Sequence, residues 1–350
     1  MATTALPTIN STNQVQLSQA ELLKRLDPNG NVADIAEILN ETNEVLTDVV
    51  FKEGNLPNGH QATVRTGMPD IYWRQMGRGV PPSKSAVANI TETCAMMAAM
   101  SKLDVKTAEL NGNTAQYRTS ESKPFIEAMG QAFARELFYG DKKKAEEGFT
   151  GIAQRYSSLT ADNAKNIIDC GATSKSKKVT SIYIVGWGDN VFGLYPKGSK
   201  VGLETKDKGA ILTNDEFGNE YEAYVTMYSW QVGLMVRDWR YIVRLANIDV
   251  DELFNGTGMG SGDLKTGNNI LTMLDLALTK IPKSNTGHLA MYMNSDVFAG
   301  LNVTAKRCNA DVIAINTKSN EFGVQNAWGS YMGVPMRQCD QIVNTEALVK

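Results

Sequence analysis

The segment from Phe51 to Thr91 most constrains what this chain can fold into. Gly54, Pro57, Gly59, Gly67, Pro69, Gly77, Gly79, Pro81 and Pro82 punctuate it, and large aliphatic residues are scarce. Glycine and proline interrupt regular structure, so a stretch of about 40 residues built this way cannot enclose a core of its own. Glu53-Gly54-Asn55-Leu56-Pro57-Asn58-Gly59 carries turn chemistry, and His60–Thr66 and Ile71–Gln75 are short extended segments between breakers. The pattern predicts a hairpin or long loop that projects from the body and packs on another molecule.

The remaining chain supplies a body for such a projection. Of the whole chain's 350 residues 42% are apolar and 21% charged, which excludes disorder for most of the length and permits a sizeable core. Residues 1–16, rich in Ser, Thr, Asn and Gln, are predicted as an extended arm. Ser18-Gln19-Ala20-Glu21 reads as a capping box for a short helix closed by Pro28-Asn29-Gly30. A second helix follows, with Ile35, Ile38, Leu39, Val45, Leu46 and Val49 on one face. Helical spacing also predicts a helix over Ile90–Leu110 with Met96, Met97, Met100 and Leu103 on a Met-rich face, ended by Asn111-Gly112-Asn113. The strongest helical pattern is Pro124–Tyr139: Phe125, Met129, Phe133 and Leu137 recur every four residues, Ser122 caps, Pro124 sits in the first turn and Gly140 follows the last.

Further along the character turns to strand. Val179–Gly186, Ala223–Val236 and Trp239–Ile248 are rich in Val, Ile, Tyr and Trp and are predicted to pair antiparallel. Gly256–Gly267 reads as a linker, Asn269–Ile281 as a helix, Leu289–Met293 as a strand, Ser295–Leu301 as a short helix and Val334–Cys339 as a final strand. The fold class is α+β.

Chemistry-bearing patterns are few. Thirty-five basic and thirty-eight acidic residues leave a net charge of −3, too small to name a partner. Only His60 and His288 are present, and Cys94, Cys170, Cys308 and Cys339 form no CxxC pair, so the cysteines read as buried reduced thiols and no zinc site is expected. The glycines of 256–262 lack the register of a phosphate loop, because Leu264 stands where a glycine would precede Lys265. Asp249 and Asp251 read as acids of a solvated turn. Lys142–Lys144 suits the negative end of the preceding helix. Arg237–Arg244 interleaves cations with aromatics but is better read as a half-buried strand with a paired Arg and Asp than as a nucleic-acid face. No catalytic residue, cofactor site or metal ligand is assigned. The longest apolar run, Cys94–Met100, is far too short to span a bilayer, and the first 23 residues hold no Lys or Arg, so neither membrane nor secretion is expected.

The order of these features resembles that of tailed-bacteriophage major capsid proteins of the Hong Kong 97-like fold. Leu137-Phe138-Tyr139-Gly140 and Phe149-Thr150-Gly151-Ile152 close the long helix as in that family. Glu53 to His60, Tyr72-Trp73-Arg74, Pro82-Ser83-Lys84, Tyr195-Pro196-Lys197-Gly198-Ser199-Lys200 and Arg237-Asp238-Trp239-Arg240-Tyr241 are similar to blocks of its podovirus- and prophage-associated branch. The resemblance covers residues 33–346. It implies an N-terminal arm with helices over 1–53, an extended loop over 54–91, a peripheral domain over 92–255 with Pro124–Tyr139 as its spine helix, and an axial domain with a closing peripheral strand over 256–350. Met291-Tyr292-Met293-Asn294 and Gly333-Val334-Pro335 would belong to the axial domain, although Arg237–Ile248 precedes them here, where many relatives have the reverse order.

What the resemblance implies for function is a structural protein without catalytic activity. It would assemble as hexamers and pentamers into an icosahedral virion shell around double-stranded DNA, in the host cytoplasm. Its partners would be itself, a scaffolding protein, a portal and a decoration protein, with packaged DNA touched only weakly. The residues alone leave open an encapsulin-type cage, and an enzyme whose site is assembled from scattered carboxylates.

Overall fold

The computed structural model describes residues 43–109, 114–214, 218–261, 269–283, 287–308, 313–319 and 325–350. The arm over 1–16, the helix over 18–30 and most of the helix after Asn31 lie outside the described residues. In chain order the first elements are α1 (Val45–Asp48), β1 (Phe51–Glu53), β2 (Gly59–Gly67), β3 (Ala86–Thr93), β4 (Ala95–Asp104), α2 (Val105–Glu109), α3 (Thr114–Tyr139) and α4 (Ile152–Arg155). There follow β5 (Ile167–Asp169), β6 (Val179–Trp187), β7 (Val191–Tyr195), β8 (Glu204–Asn214), β9 (Glu220–Val236), β10 (Ile242–Asp249) and α5 (Val250–Asn255). The last are α6 (Ile270–Lys280), β11 (His288–Met293), α7 (Ser295–Arg307), β12 (Ile313–Ser319), β13 (Gln325–Tyr331) and β14 (Val334–Gln338).

The chain divides into two compact units. The larger comprises residues 41–96, 130–201 and 231–350 and holds a seven-stranded sheet of order β12-β13-β14-β11-β6-β10-β5. β6 is covered on both faces, and Ile182, Tyr183, Ile184, Val185 and Trp187 are fully buried. A strand sealed on both sides reads as a continuous apolar run, which is why this one stands out in the sequence. β6 pairs antiparallel with β10 (Val243↔Ile184) and with β11 (Met291↔Ile184), while β11 runs parallel to β14. The sheet therefore draws strands from both sides of residue 255.

Helix ends in this unit are set by side chains. Asn269 Oδ1 accepts from the Leu271 N–H (2.9 Å), and Asn294 Oδ1 from the Val297 N–H (3.0 Å). Asp249 Oδ1 accepts from the Asp251 N–H (3.0 Å), so this acidic pair starts α5 rather than a solvated turn.

In the smaller unit, described over 97–109, 114–129, 202–214 and 218–230, β8 pairs antiparallel with β9 (Glu204↔Ser229). Leu103, Ala108 and Tyr117 form its core with Tyr224 packed against them, and Phe125 stacks on Tyr228 at 5.5 Å. Arg118 lies over the Tyr224 ring (4.8 Å) and pairs with Asp207 (2.7 Å).

Several expectations are corrected. Residues 90–93 and 95–104 are strand, and among the described residues of the predicted helix only Val105–Glu109 is helical. Ala95, Met97, Ala99, Ser101 and Leu103 turn inward while Met96, Ala98 and Met100 are exposed, a period of two. A methionine spacing of four fits either period, and pairing with distant strands decided for the extended form. α3 begins at Thr114, so Pro124 lies inside the helix, and Ser122 does not cap it but donates back to the Thr119 carbonyl (2.7 Å). Tertiary burial of Tyr117 holds the added turns. Residues 71–75 form no strand. Trp239–Tyr241 is a 3-10 turn ahead of β10, and α7 continues to Arg307. The glycines at 258–260 form a further 3-10 turn, and the rest of the predicted linker from 262 lies outside the described residues.

Candidate assembly interface

β2 and β3 form a two-stranded antiparallel hairpin, from Gly59↔Thr93 at the root to Gly67↔Ala86 before the tip. The root is built by the residues that the sequence marked as turn chemistry. A Cβ on Gly54 would stand 2.2 Å from the Gly59 carbonyl oxygen, and one on Gly59 2.1 Å from that of Glu92, so only glycine lets these backbones approach. Asn55 grips Gln61 with both ends of its amide, accepting from the N–H (2.7 Å) and donating to the carbonyl (2.8 Å).

Three of the sequence blocks similar to capsid proteins meet at this root. The Gly54 N–H donates to the Tyr195 carbonyl (2.8 Å), and the Gly198 N–H donates to Glu53 Oε1 (2.8 Å) at a positive φ of 78°. The Arg237 N–H donates to the Asn190 carbonyl (2.8 Å), and Arg240 forks onto the Asp238 carboxylate (3.0 and 2.7 Å). The expected Arg–Asp pair thus exists, in a turn rather than on a strand. Glu92 pairs with Arg155 (2.6 Å), and Lys142 donates to Thr93 Oγ1 (2.8 Å), a use of the basic run that helix electrostatics did not indicate. Inward-facing Ala62 packs with Phe192, Leu194 and Met235, joined by Ile90 and Cys94. Burial pushes the Cys94 thiol up to about 11.

Beyond this seat the hairpin leaves the body, and every residue from Met68 to Asn89 is exposed. Trp73 and Met76 are fully exposed and Ile71 is 92% exposed, with Met68, Tyr72 and Val80 nearby in sequence. Ser83 Oγ donates to the Asp70 carbonyl (2.9 Å) and Arg74 Nε to that of Arg78 (2.8 Å), so polar side chains of the tip shape its backbone and leave its apolar ones outward. Covering a large apolar side chain stabilises by roughly 1.5–3 kcal/mol, a gain that the tip residues forgo in the single subunit.

Two buried ionic nodes, unmarked by any motif, hold the larger unit. Arg244 pairs with Glu346 (2.8 Å), both nearly inaccessible, and also bonds Ser181 Oγ and the Ala153 and Tyr156 carbonyls. Tyr139, Ser181 and Tyr183 hydroxyls donate to the same carboxylate, and burial first, then the neighbouring Tyr183 and this carboxylate, raise the Tyr139 hydroxyl well above the ordinary value. Asp48 receives Arg337 Nε and Nη2 (3.0 Å each), Tyr292 OH (3.0 Å) and His288 Nε2 (2.9 Å). A cavity of about 330 Å³ beside Arg244, Tyr139 and Glu346 is bounded by groups already engaged with one another. Among the described residues no group of His, Cys, Asp and Glu is placed to hold a metal ion, and no helix is long and apolar enough to cross a membrane.

The larger unit combines a buried Arg244–Glu346 node with a projecting, apolar-tipped hairpin, and the fold is the Hong Kong 97-like fold of tailed-phage capsids. It is similar to a chain in the near-atomic cryo-EM structure of bacteriophage Epsilon15, at 28% identity over 98% of this chain and 99% of that one, with a TM-score of 0.74. The family model of major capsid protein GP7 matches residues 27–350, and the chain belongs to that family. It is accordingly a structural protein of the virion shell and not an enzyme. More distant likenesses are to the capsid of bacteriophage JBD30 (10% identity, 87% of this chain and 92% of that one, TM-score 0.47) and to the SrpI encapsulin of Synechococcus elongatus PCC 7942 (10%, 67% and 96%, 0.43). No curated protein matches the chain.

Proposed function

We propose that the chain assembles as hexamers and pentamers into an icosahedral shell enclosing double-stranded DNA, with residues 54–91 acting as the extended loop that docks on a neighbouring copy. The observation that carries this reading is the tip, where Trp73, Met76 and Ile71 face solvent on a ribbon whose root is firmly seated. An arm exchanged between copies joins them without disturbing either core, and several weak contacts per subunit sum through avidity while still letting misplaced copies leave. In the same reading residues 1–53 form the N-terminal arm, 92–255 the peripheral domain with Pro124–Tyr139 of α3 as spine helix, and 256–350 the axial domain with the closing strand. A net charge of −3 supports loose contact with the genome, since dense Lys and Arg would grip phosphates through counterion release. Scaffolding protein, portal and a decoration protein complete the partners, and assembly takes place in the host cytoplasm.

Electron microscopy of the expressed chain tests this. Shells of DNA-packaging size are expected from the natural sequence, and folded unassembled subunits from Trp73→Ser combined with Met76→Ser. Normal shells from that variant would show that the tip is not a docking element.

A further inference from the structure

The seat of the hairpin holds a titratable imidazole with one ring nitrogen buried. His60, second residue of β2, turns its ring edge onto Phe192 of β7, with centroids 5.7 Å apart and planes at 81°. Its Nδ1 is buried and has no hydrogen-bond partner among the described residues. Around it stand charges from each neighbouring element. Across the strand pair is Glu92 of β3, already engaged by Arg155 (2.6 Å). Arg237, after β9, repels a proton on His60. Lys52 of β1 lies over the Phe192 ring (5.1 Å) and pairs with Asp189.

We propose that His60 makes the seating of the hairpin pH-sensitive: neutral imidazole packs on Phe192 and keeps the proximal strands against the body, whereas imidazolium loosens them. Protonation would create an N–H with no acceptor inside the seat and add a cation beside Arg237, while an unseated hairpin gives the same ring to water. Burial, with Arg237 second, holds the seated imidazole below its ordinary value. Seating has full strength above the free value of about 6.5 and weakens as pH falls below it, tenfold for every unit of displacement, levelling off below the seated value. Glu92–Arg155 and Lys142–Thr93 remain as tethers, so the proximal strands would swing rather than detach. The consequence that acid redirects the loop's reach toward a neighbouring copy rests on the docking function proposed above; the seat itself does not.

Hydrogen exchange of the full chain at pH 7.5 and 5.5, corrected for intrinsic exchange, reads this out. In the natural sequence β2 and β3 should lose protection at the lower pH while β6 and β10 keep theirs. His60→Phe should abolish the loss, Arg237→Gln should reduce it with His60 still in place, and His288→Gln should leave it unchanged. Equal loss in the natural chain and His60→Phe, no loss in either, or loss that follows His288 would overturn the proposal. Shell formation by the tip variants is scored separately, so failure of the docking function leaves a different signature.

Discussion

Glu346 shows how much of this fold converges on single side chains. Its carboxylate lies 102 positions from Arg244 in sequence, yet pairs with it in the interior and accepts three hydroxyls. Removing one partner of a buried pair strands the other charge, so Glu346→Ala should cost about 3–5 kcal/mol, measured by urea denaturation. A loss under about 1 kcal/mol would show the node to be hydrated and weak. Phe133 is fully buried with ring neighbours Phe51 at 6.1 Å and Phe149 at 6.4 Å, and Phe133→Ala should cost about 3–5 kcal/mol. An unchanged melting temperature would mean that this face of α3 is not packed. Neither node residue carries a motif: a lone Glu near a chain end and a lone Arg in a β-rich stretch look like surface charges until the fold pairs them.

At the level of the element, α3 and β4 show where periodicity suffices and where it does not. Met129, Phe133 and Leu137 are buried as their spacing required, because a helix turns the same face inward every three to four residues. Pro124 marked a helix start by its local preference, but the helix runs through it. An exposed proline lacks the N–H of an internal turn, so Pro124→Ala should stabilise the chain, by up to about 3 kcal/mol in the limit of full helix-interior strain. Calorimetry checks the direction, and a lower melting temperature would indicate that the proline's fixed backbone angle stabilises this turn. β4 was illegible as a strand since methionines four apart satisfy both periods. The hydrogen-bonding partner on β9 comes from a segment more than a hundred residues later, and no local pattern reports it.

On the scale of the whole molecule, the hairpin divides into a part that the body buries and a part that it leaves in solvent. Ala62, Ile90 and Cys94 belong to a buried cluster, whereas residues 68–85 touch solvent throughout. Deleting all of 54–91 would therefore damage the body, while replacing 68–85 with a short turn should leave the melting temperature within a few degrees and abolish assembly, as seen by light scattering. Assembly by the shortened chain would assign the lattice contacts elsewhere. The sequence by itself determined that this region could not bury itself, because its breakers and few aliphatics follow from composition alone. It also determined β6, β10, β11, β14 and the buried face of α3, whose patterns are local. Only the tertiary structure decided that Glu53–His60, Tyr195–Ser199 and Arg237 meet at the hairpin root, that Asp249 caps a helix, and that Arg244 finds Glu346. Those contacts join segments far apart in the chain, and their energy comes from close approach and exclusion of water, which no stretch of residues carries until the chain is closed.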